Sequence, residues 1–344
     1  MDDEKNRVDW PCMSDSPLGR TLLVANPAAH SGRGADGAEF ARRFLESYSS
    51  VTDGYDVRLT SRPGEATSIA ARSVGYETLV VLGGDGVIHE VVCGLMSLPR
   101  ERRARLAVLP LGSGNDYART LGMARNDVEA AFAQIVRGRP RPVDVGRVNG
   151  THFVETLSFG LDAAIALDTT ERRAADTSQE GETLFVTSGL KILSRASGGY
   201  PCVARFDDEE PVDLPTLVFA VQVGPSYGGG FKICPEADPS DGLLDVCYNV
   251  RVPSIPHLLA LFGLARSGRH AGSRVVRLHR IRRAVIDFAS EPPCQVDGEP
   301  LTGTHFEVEI MPGALSAFFP PKGVGSLLSE SFDADSHLPK GPLN

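Results

Sequence analysis

Apolar runs and helix-spaced segments alternate along the first 145 residues. Residues 21–26 (TLLVAN), 78–84 (TLVVLGG) and 105–112 (RLAVLPLG) are apolar with little interruption, and residues 55–60 (YDVRLT) alternate. Between them, residues 37–48, 64–74, 87–98, 115–122 and 129–137 carry apolar side chains at helical spacing, as Val87, Val91 and Leu95 show. A strand apolar at every position is buried on both faces. Such strands alternating with helices predict a doubly wound parallel sheet.

The pattern changes near residue 145. Two strand-like runs flank Asn149-Gly150, a hairpin signal because both residues tolerate positive φ. Later runs at 216–224, 243–250, 274–281, 283–290 and 305–313 are β-branched and bounded by turns. One helix is predicted among them, over 253–268. The chain thus divides into an α/β domain (20–145), completed by the C-terminal segment 316–335, and an antiparallel β-rich domain (146–315). Residues 1–19 read as a disordered polar tail.

Composition adds limits. A chain of 344 residues, 42% hydrophobic and 23% charged, can bury a sizeable core. A net charge of −9 argues against a nucleic-acid binder. No secretory h-region and no apolar run of membrane-spanning length occurs, so a cytoplasmic protein is expected. The six cysteines show no CxxC spacing and read as reduced core residues.

Three strand ends carry loops that suit phosphate: residues 26–37 (NPAAHSGRGADG), 83–86 (GGDG) and 110–116 (PLGSGND). Each precedes a helix, whose first amides are unpaired and whose dipole favours anions. Glycines let the backbone approach closely. A carboxylate beside phosphate is repulsive unless a cation lies between them, so Asp85 and Asp116 point to Mg²⁺. Residues 32–37 (GRGADG) match GxGxxG, but six residues separate them from the strand, and the second strand ends without a ribose-binding acid; a dinucleotide site is disfavoured. The Walker pattern is absent.

GGDG after a strand, an Asn-Pro loop before it and GSGNDYAR after it together resemble the diacylglycerol kinase catalytic domain family, which includes bacterial lipid kinases, sphingosine kinases and ceramide kinases. PEADPSDGLLDV (235–246) and CQVDGEPL (294–301) resemble two motifs of its β-rich half, so the resemblance spans roughly residues 20–320. It implies ATP bound between two domains and phosphoryl transfer to the hydroxyl of diacylglycerol or a related membrane lipid. In its terms Asn26, Pro27 and the loop through Gly32 to Gly34 line the phosphates, and Thr60 lies near the adenosine. Gly83, Gly84, Asp85, Gly86 and Glu90, with Gly112, Ser113, Asn115 and Asp116, approach the phosphates and Mg²⁺. Asp238, Asp241 and the Leu243 carbonyl match a second, structural Mg²⁺ site, and Glu299 matches the general base. By residue chemistry alone, the 238–245 stretch is also an ordinary acidic turn and VDGE a simple β-turn.

Two positions depart from the family pattern GGDGT[IV]NE. Val87 replaces a threonine and cannot donate a hydrogen bond; His89 replaces an asparagine and can donate or accept. Seven arginines and no acid fall within residues 266–283, which suits either anionic headgroups at the inner membrane surface or pairing with acidic segments elsewhere. A homodimer is compatible with the chain. Two other readings share its features: an NAD kinase-like enzyme with a soluble substrate, and a non-catalytic lipid-binding regulator.

Overall fold

The computed structural model describes residues 16–174, 181–193 and 198–321. Its first half alternates β1 (Thr21–Ala25), α1 (Arg33–Ser47), β2 (Tyr55–Leu59), α2 (Glu65–Ala70), β3 (Thr78–Gly83), α3 (Asp85–Met96), β4 (Arg105–Pro110), α4 (Asp116–Leu121) and α5 (Val128–Arg137). The strands pair in parallel in the order β2-β1-β3-β4. Leu22 to Ala25 of β1 and Leu79 to Leu82 of β3 are almost wholly buried, because helices cover both faces.

The second half runs β5 (Arg139–Val148), β6 (Thr151–Phe153), β7 (Thr156–Gly160), α6 (Leu161–Ala174), α7 (Gly181–Leu193), β8 (Cys202–Phe206), β9 (Val212–Leu214), β10 (Val218–Gln222), β11 (Leu244–Asn249), α8 (Ile255–Ala265), β12 (Val276–Ile281), β13 (Arg283–Phe288), β14 (Cys294–Val296), β15 (Glu299–Pro300) and β16 (His305–Phe319). The turn between β5 and β6 is Asn149-Gly150, with φ of 46° and 88°, the left-handed pair a tight hairpin requires.

One strand joins the halves. β16 pairs antiparallel with β13 and β5, shifts register between Met311 and Leu315, and reaches β4 in parallel at Ala317↔Leu106. Ala317 and Phe318 are buried in the core of the first half, while residues 322–335 lie outside the described part of the chain. A second sheet, β12-β11-β10-β7-β14-β15, packs its apolar face on the first through Phe159, Phe219, Phe288 and Phe306.

The β-rich half holds two helices that the apolar pattern does not predict, α6 and α7. They lie, with α8, against the outer face of the second sheet, where Leu161, Ile165, Phe185 and Leu258 form a further apolar cluster. α6 follows β7 through Gly160 at φ 86°, a turn that leaves no loop between strand and helix. It carries no polar boundary that would announce it.

Candidate active site

The carboxyl ends of β1, β3 and β4 open onto a crevice of about 510 Å³ whose far wall belongs to the β-rich half. Of the residues singled out by sequence, Asn26, Gly84, Asp85, Gly86, Gly112, Ser113, Asp116 and Glu299 line it. Asn115, Glu90 and Thr60 stand behind it and hold the loops in place. The Asn115 side chain donates to the Gly112 carbonyl at 2.7 Å and to Asn126 at 3.1 Å, bracing the third loop. Glu90 accepts from the Gly64 and Ala66 amides at 2.8 and 3.1 Å, so its carboxylate serves the start of α2 and not the crevice. The Thr60 amide donates to the Ala25 carbonyl at 2.9 Å and ties the end of β2 to β1. Pro27, Gly32 and Gly34 do not form the crevice wall; Ala28 to Ser31 do. His30, Ser31 and Gly32 are left-handed in succession, with φ of 48°, 57° and 92°, which curls this loop before α1 begins. A Cβ on Gly34 would stand 2.0 Å from the Asn26 carbonyl oxygen, so that glycine lets α1 pack against the loop.

The glycines of the two central loops divide by role. A Cβ on Gly112 would stand 2.5 Å from the Gly84 Cα, and one on Gly83 would stand 2.3 Å from Val87 Cγ1. These positions are glycine because protein packs there. Gly86 is different: nothing lies within 4 Å of its Cβ direction, and the space belongs to the crevice. Gly86→Ala is therefore expected to keep or slightly raise thermal stability, since alanine is favoured by up to about 1 kcal/mol inside a helix, and to weaken nucleotide binding. Gly112→Ala is expected to destabilise by about 1–3 kcal/mol through overpacking. Thermal midpoints and nucleotide titration of both variants check the division.

Four carboxyl groups converge. Asp85 opens α3 and accepts from the Tyr117 amide at 3.3 Å. Asp116 opens α4, accepts from the Gly229 amide at 2.8 Å and faces Arg119 at 3.6 Å. Glu155, between β6 and β7, is 5% exposed, and among the described residues its carboxyl oxygens meet no hydrogen-bond partner of normal geometry. Asp297 accepts from the amides of Val154, Glu155 and Thr156 at 2.9, 3.0 and 2.9 Å, and from His89 Nδ1 at 3.0 Å. Burial and the neighbouring Asp116 push the Asp85 carboxyl up to about 7. Burial raises Asp116 as well. Burial, then the charges of Asp116, Asp297 and Asp85, raise Glu155 well above the usual carboxyl range. Burial pulls the His89 imidazole down, but its hydrogen bonds to Asp297 and Cys93 outweigh that and leave it pushed up to about 10.

Glu155 and Asp297 are not singled out by sequence. Glu155 lies in a strand-like run (FVETLSFG), where one acid among apolar residues is the sole signal. Asp297 forms the corner of VDGE, with its partner His89 more than two hundred residues away. The same turn puts Glu299, an exposed residue, on the crevice rim.

Among the described residues no three His, Cys, Asp or Glu side chains are arranged to enclose a metal. Asp85 and Asp116 both line the crevice, and a nucleotide-bound Mg²⁺ needs only one or two carboxylates beside the phosphates. Asp238, Asp241 and Leu243 lie apart from the crevice. Asp238 Oδ1 accepts from the Ser240 amide at 2.9 Å and hydroxyl at 2.6 Å, and Asp241 Oδ1 accepts from the Leu243 amide at 3.0 Å. This loop is anchored by the buried Asp144, which accepts from the Gly242 and Gly313 amides, each at 2.7 Å.

Beside the crevice lies a cavity of about 80 Å³, walled mainly by apolar side chains, between the second sheet and α6, α7 and α8. Phe185 and Tyr227 line both spaces. The Tyr227 hydroxyl donates to Asp162 Oδ2 at 2.7 Å, a buried polar post at the junction.

Comparison with known proteins accords with this arrangement. The family described as the diacylglycerol kinase catalytic domain matches residues 20–148, and the YegS C-terminal NAD kinase beta sandwich-like domain matches residues 155–319. A probable lipid kinase YegS-like protein of Serratia proteamaculans is 31% identical over 309 residues, 89% of this chain and 95% of that protein. A protein of the same description from Cronobacter sakazakii is 31% identical over 279 residues, 77% of this chain and 86% of that one. Among solved structures, a diacylglycerol kinase from Bacillus anthracis strain Sterne superposes with a TM-score of 0.66 at 20% identity, covering 89% of this chain and 98% of that one. Yeast NADH kinase superposes with a TM-score of 0.52 at 14% identity, covering 94% of this chain and 91% of that one. These two likenesses are of fold.

Proposed function

Because the chain belongs to the diacylglycerol kinase catalytic domain family, with a YegS-type second half, we propose that it is a lipid kinase that transfers the γ-phosphoryl group of ATP to a lipid hydroxyl, with diacylglycerol the first candidate acceptor. The observation that carries this reading is the shared wall of Phe185 and Tyr227. It sets an apolar cavity directly beside a crevice of phosphate-sized loops and carboxylates. A soluble acceptor such as NAD has no use for such a cavity. At about 80 Å³ the cavity is smaller than an acyl chain, so a bound tail displaces side chains of α7 or α8.

In this reading ATP lies across the three loops, with its phosphates over Gly86 and the first turn of α3. Asp85 and Asp116 would hold Mg²⁺ from the protein side. When bound, the ion neutralises charge on the phosphates. Glu155, whose carboxyl burial holds well above its usual range, lines the same crevice beside Asp85 and Asp116. Glu299, on the rim, accepts the proton of the lipid hydroxyl and passes it to solvent. Asp297 and His89 fix the turn that carries it. The protein's share of such catalysis is positioning and electrostatics.

The test is incubation with labelled ATP, Mg²⁺ and separate panels of diacylglycerol, other lipid alcohols and NAD. A phosphorylated lipid is expected, and Glu299→Gln is expected to lower kcat by about a hundredfold or more with little change in the KM for ATP. Phosphorylation of NAD alone would overturn the lipid reading, and an undiminished Glu299→Gln enzyme would remove that residue as the base.

A further inference from the structure

We propose that the end of the β-rich half built from the 250–256 loop, the turn after α8 and the start of β12 is a docking surface for a bilayer that carries anionic lipids; the proposal rests on the lipid-acceptor reading above. The pieces are joined in the fold. Asn249 pairs with Val276, and the Val250 amide donates to the Val275 carbonyl at 2.9 Å, so the loop lies along the start of β12. Three large apolar side chains stand in water on the loop and the first residue of α8: Val250 at 37%, Val252 at 50% and Ile255 at 41% exposed. Leu278 on β12 adds another at 41%. Apolar side chains exposed together mark an interaction site more often than the same residues scattered singly.

The charge around them selects the occupant. Arg251, Arg269, Arg274 and Arg277 are exposed, and none has a carboxylate partner among the described residues. Two arginines farther along the same basic run are engaged: Arg280 pairs with Asp245 at 3.3 Å, and Arg283 pairs with Asp208. A chain of net charge −9 thus places four unpaired cations around exposed valine and isoleucine at one end. That combination fits a surface both negative and apolar beneath its headgroups. The cavity continues the path inward. Asn249, Pro253 and Val276, beside the exposed residues, line it at this end, and Phe185 and Tyr227 line it where it meets the crevice. A lipid drawn from a bilayer seated here enters the wall of the site without crossing water.

The test is flotation of the full chain with vesicles of phosphatidylcholine alone and of equal parts phosphatidylcholine and phosphatidylglycerol, at low and high salt. Binding to the anionic vesicles, weakened by salt, is expected. Arg269→Ser with Arg274→Ser is expected to weaken it about 25-fold, at about fivefold per arginine near an anionic surface. Val252→Asp with Ile255→Asp is expected to abolish it. All four residues are exposed, so both variants should keep the parent's thermal midpoint and its kcat on a short-chain diacylglycerol in detergent micelles. Failure of the parent to float, or variants that float as it does, would overturn the proposal. So would an aspartate variant that turned a dimer into a monomer and left flotation intact, since the face would then join two copies. A parent that floats as described yet phosphorylates no lipid in micelles would sink the kinase reading and leave the docking surface standing.

Discussion

Asp85→Asn is expected to lower lipid phosphorylation by about a thousandfold or more and to leave the fold at least as stable. The carboxylate opens α3 on the crevice floor and is held beside Asp116, with burial raising both. Asparagine keeps the size and the oxygen that accepts from the Tyr117 amide, but it removes the charge that would hold a cation. The stability prediction has a sign. Asp85 stands near 7 in the folded chain against 3.8 for the free side chain, so the native state holds the extra proton between those values. Parent stability therefore falls as pH rises through that window, and Asp85→Asn removes its share of the loss. The gap between variant and parent should widen from about pH 4 to 7 without divalent ions and close when Mg²⁺ and nucleotide are added. Thermal melts across pH and single-turnover rates measure both effects. A variant within about tenfold of the parent rate would take Asp85 out of the metal site.

The second large effect is expected from the pair His89 and Asp297. Their bond spans the two halves of the crevice, and Asp297 also collects the amides of Val154, Glu155 and Thr156. Both side chains are largely buried, at 11% and 4% exposed. Removing one partner leaves the other charge without compensation, so His89→Leu and Asp297→Ala should each destabilise by about 3 kcal/mol or more. The double variant should lose far less than the sum. Because Glu299 follows two residues after Asp297, kcat is expected to fall about ten- to a hundredfold with the KM for ATP little changed. The imidazole stands near 10 in the fold against 6.5 free. Its stabilisation is present in full below about pH 6.5 and is lost as pH rises through about 10. His89→Asn, the residue usual in this family, should flatten that alkaline loss. A coupling energy below about 0.5 kcal/mol in the double-mutant cycle would show that the pair does not join the halves.

Much of this architecture is legible in the chain because it is local. β1, β3 and β4 are apolar throughout since helices cover both sheet faces, and the loops at their ends announce themselves by glycine, asparagine and aspartate. α6 and α7 are not legible: one follows β7 with no loop between, and the face they cover belongs to strands distant in sequence. Nor does a motif say what each glycine is for. Gly83, Gly84, Asp85 and Gly86 look like four parts of one phosphate loop. In the fold Gly83 yields to Val87, Gly84 touches Gly112, and of the three glycines only Gly86 has open space in its Cβ direction. Glu90, in the same motif, caps α2 instead.

Spacing and residue type by themselves determine the α/β and β-rich halves, the three loops of the crevice and Asp85 and Asp116 within it, because each depends on neighbours a few residues apart. Only the tertiary structure decides that Glu155 and Asp297 join those carboxyls, that His89 answers Asp297 across the crevice, and that an apolar cavity adjoins it. Those facts depend on contacts between distant segments. Burial and charge, which set the chemistry of the site, exist only once both halves have closed upon it.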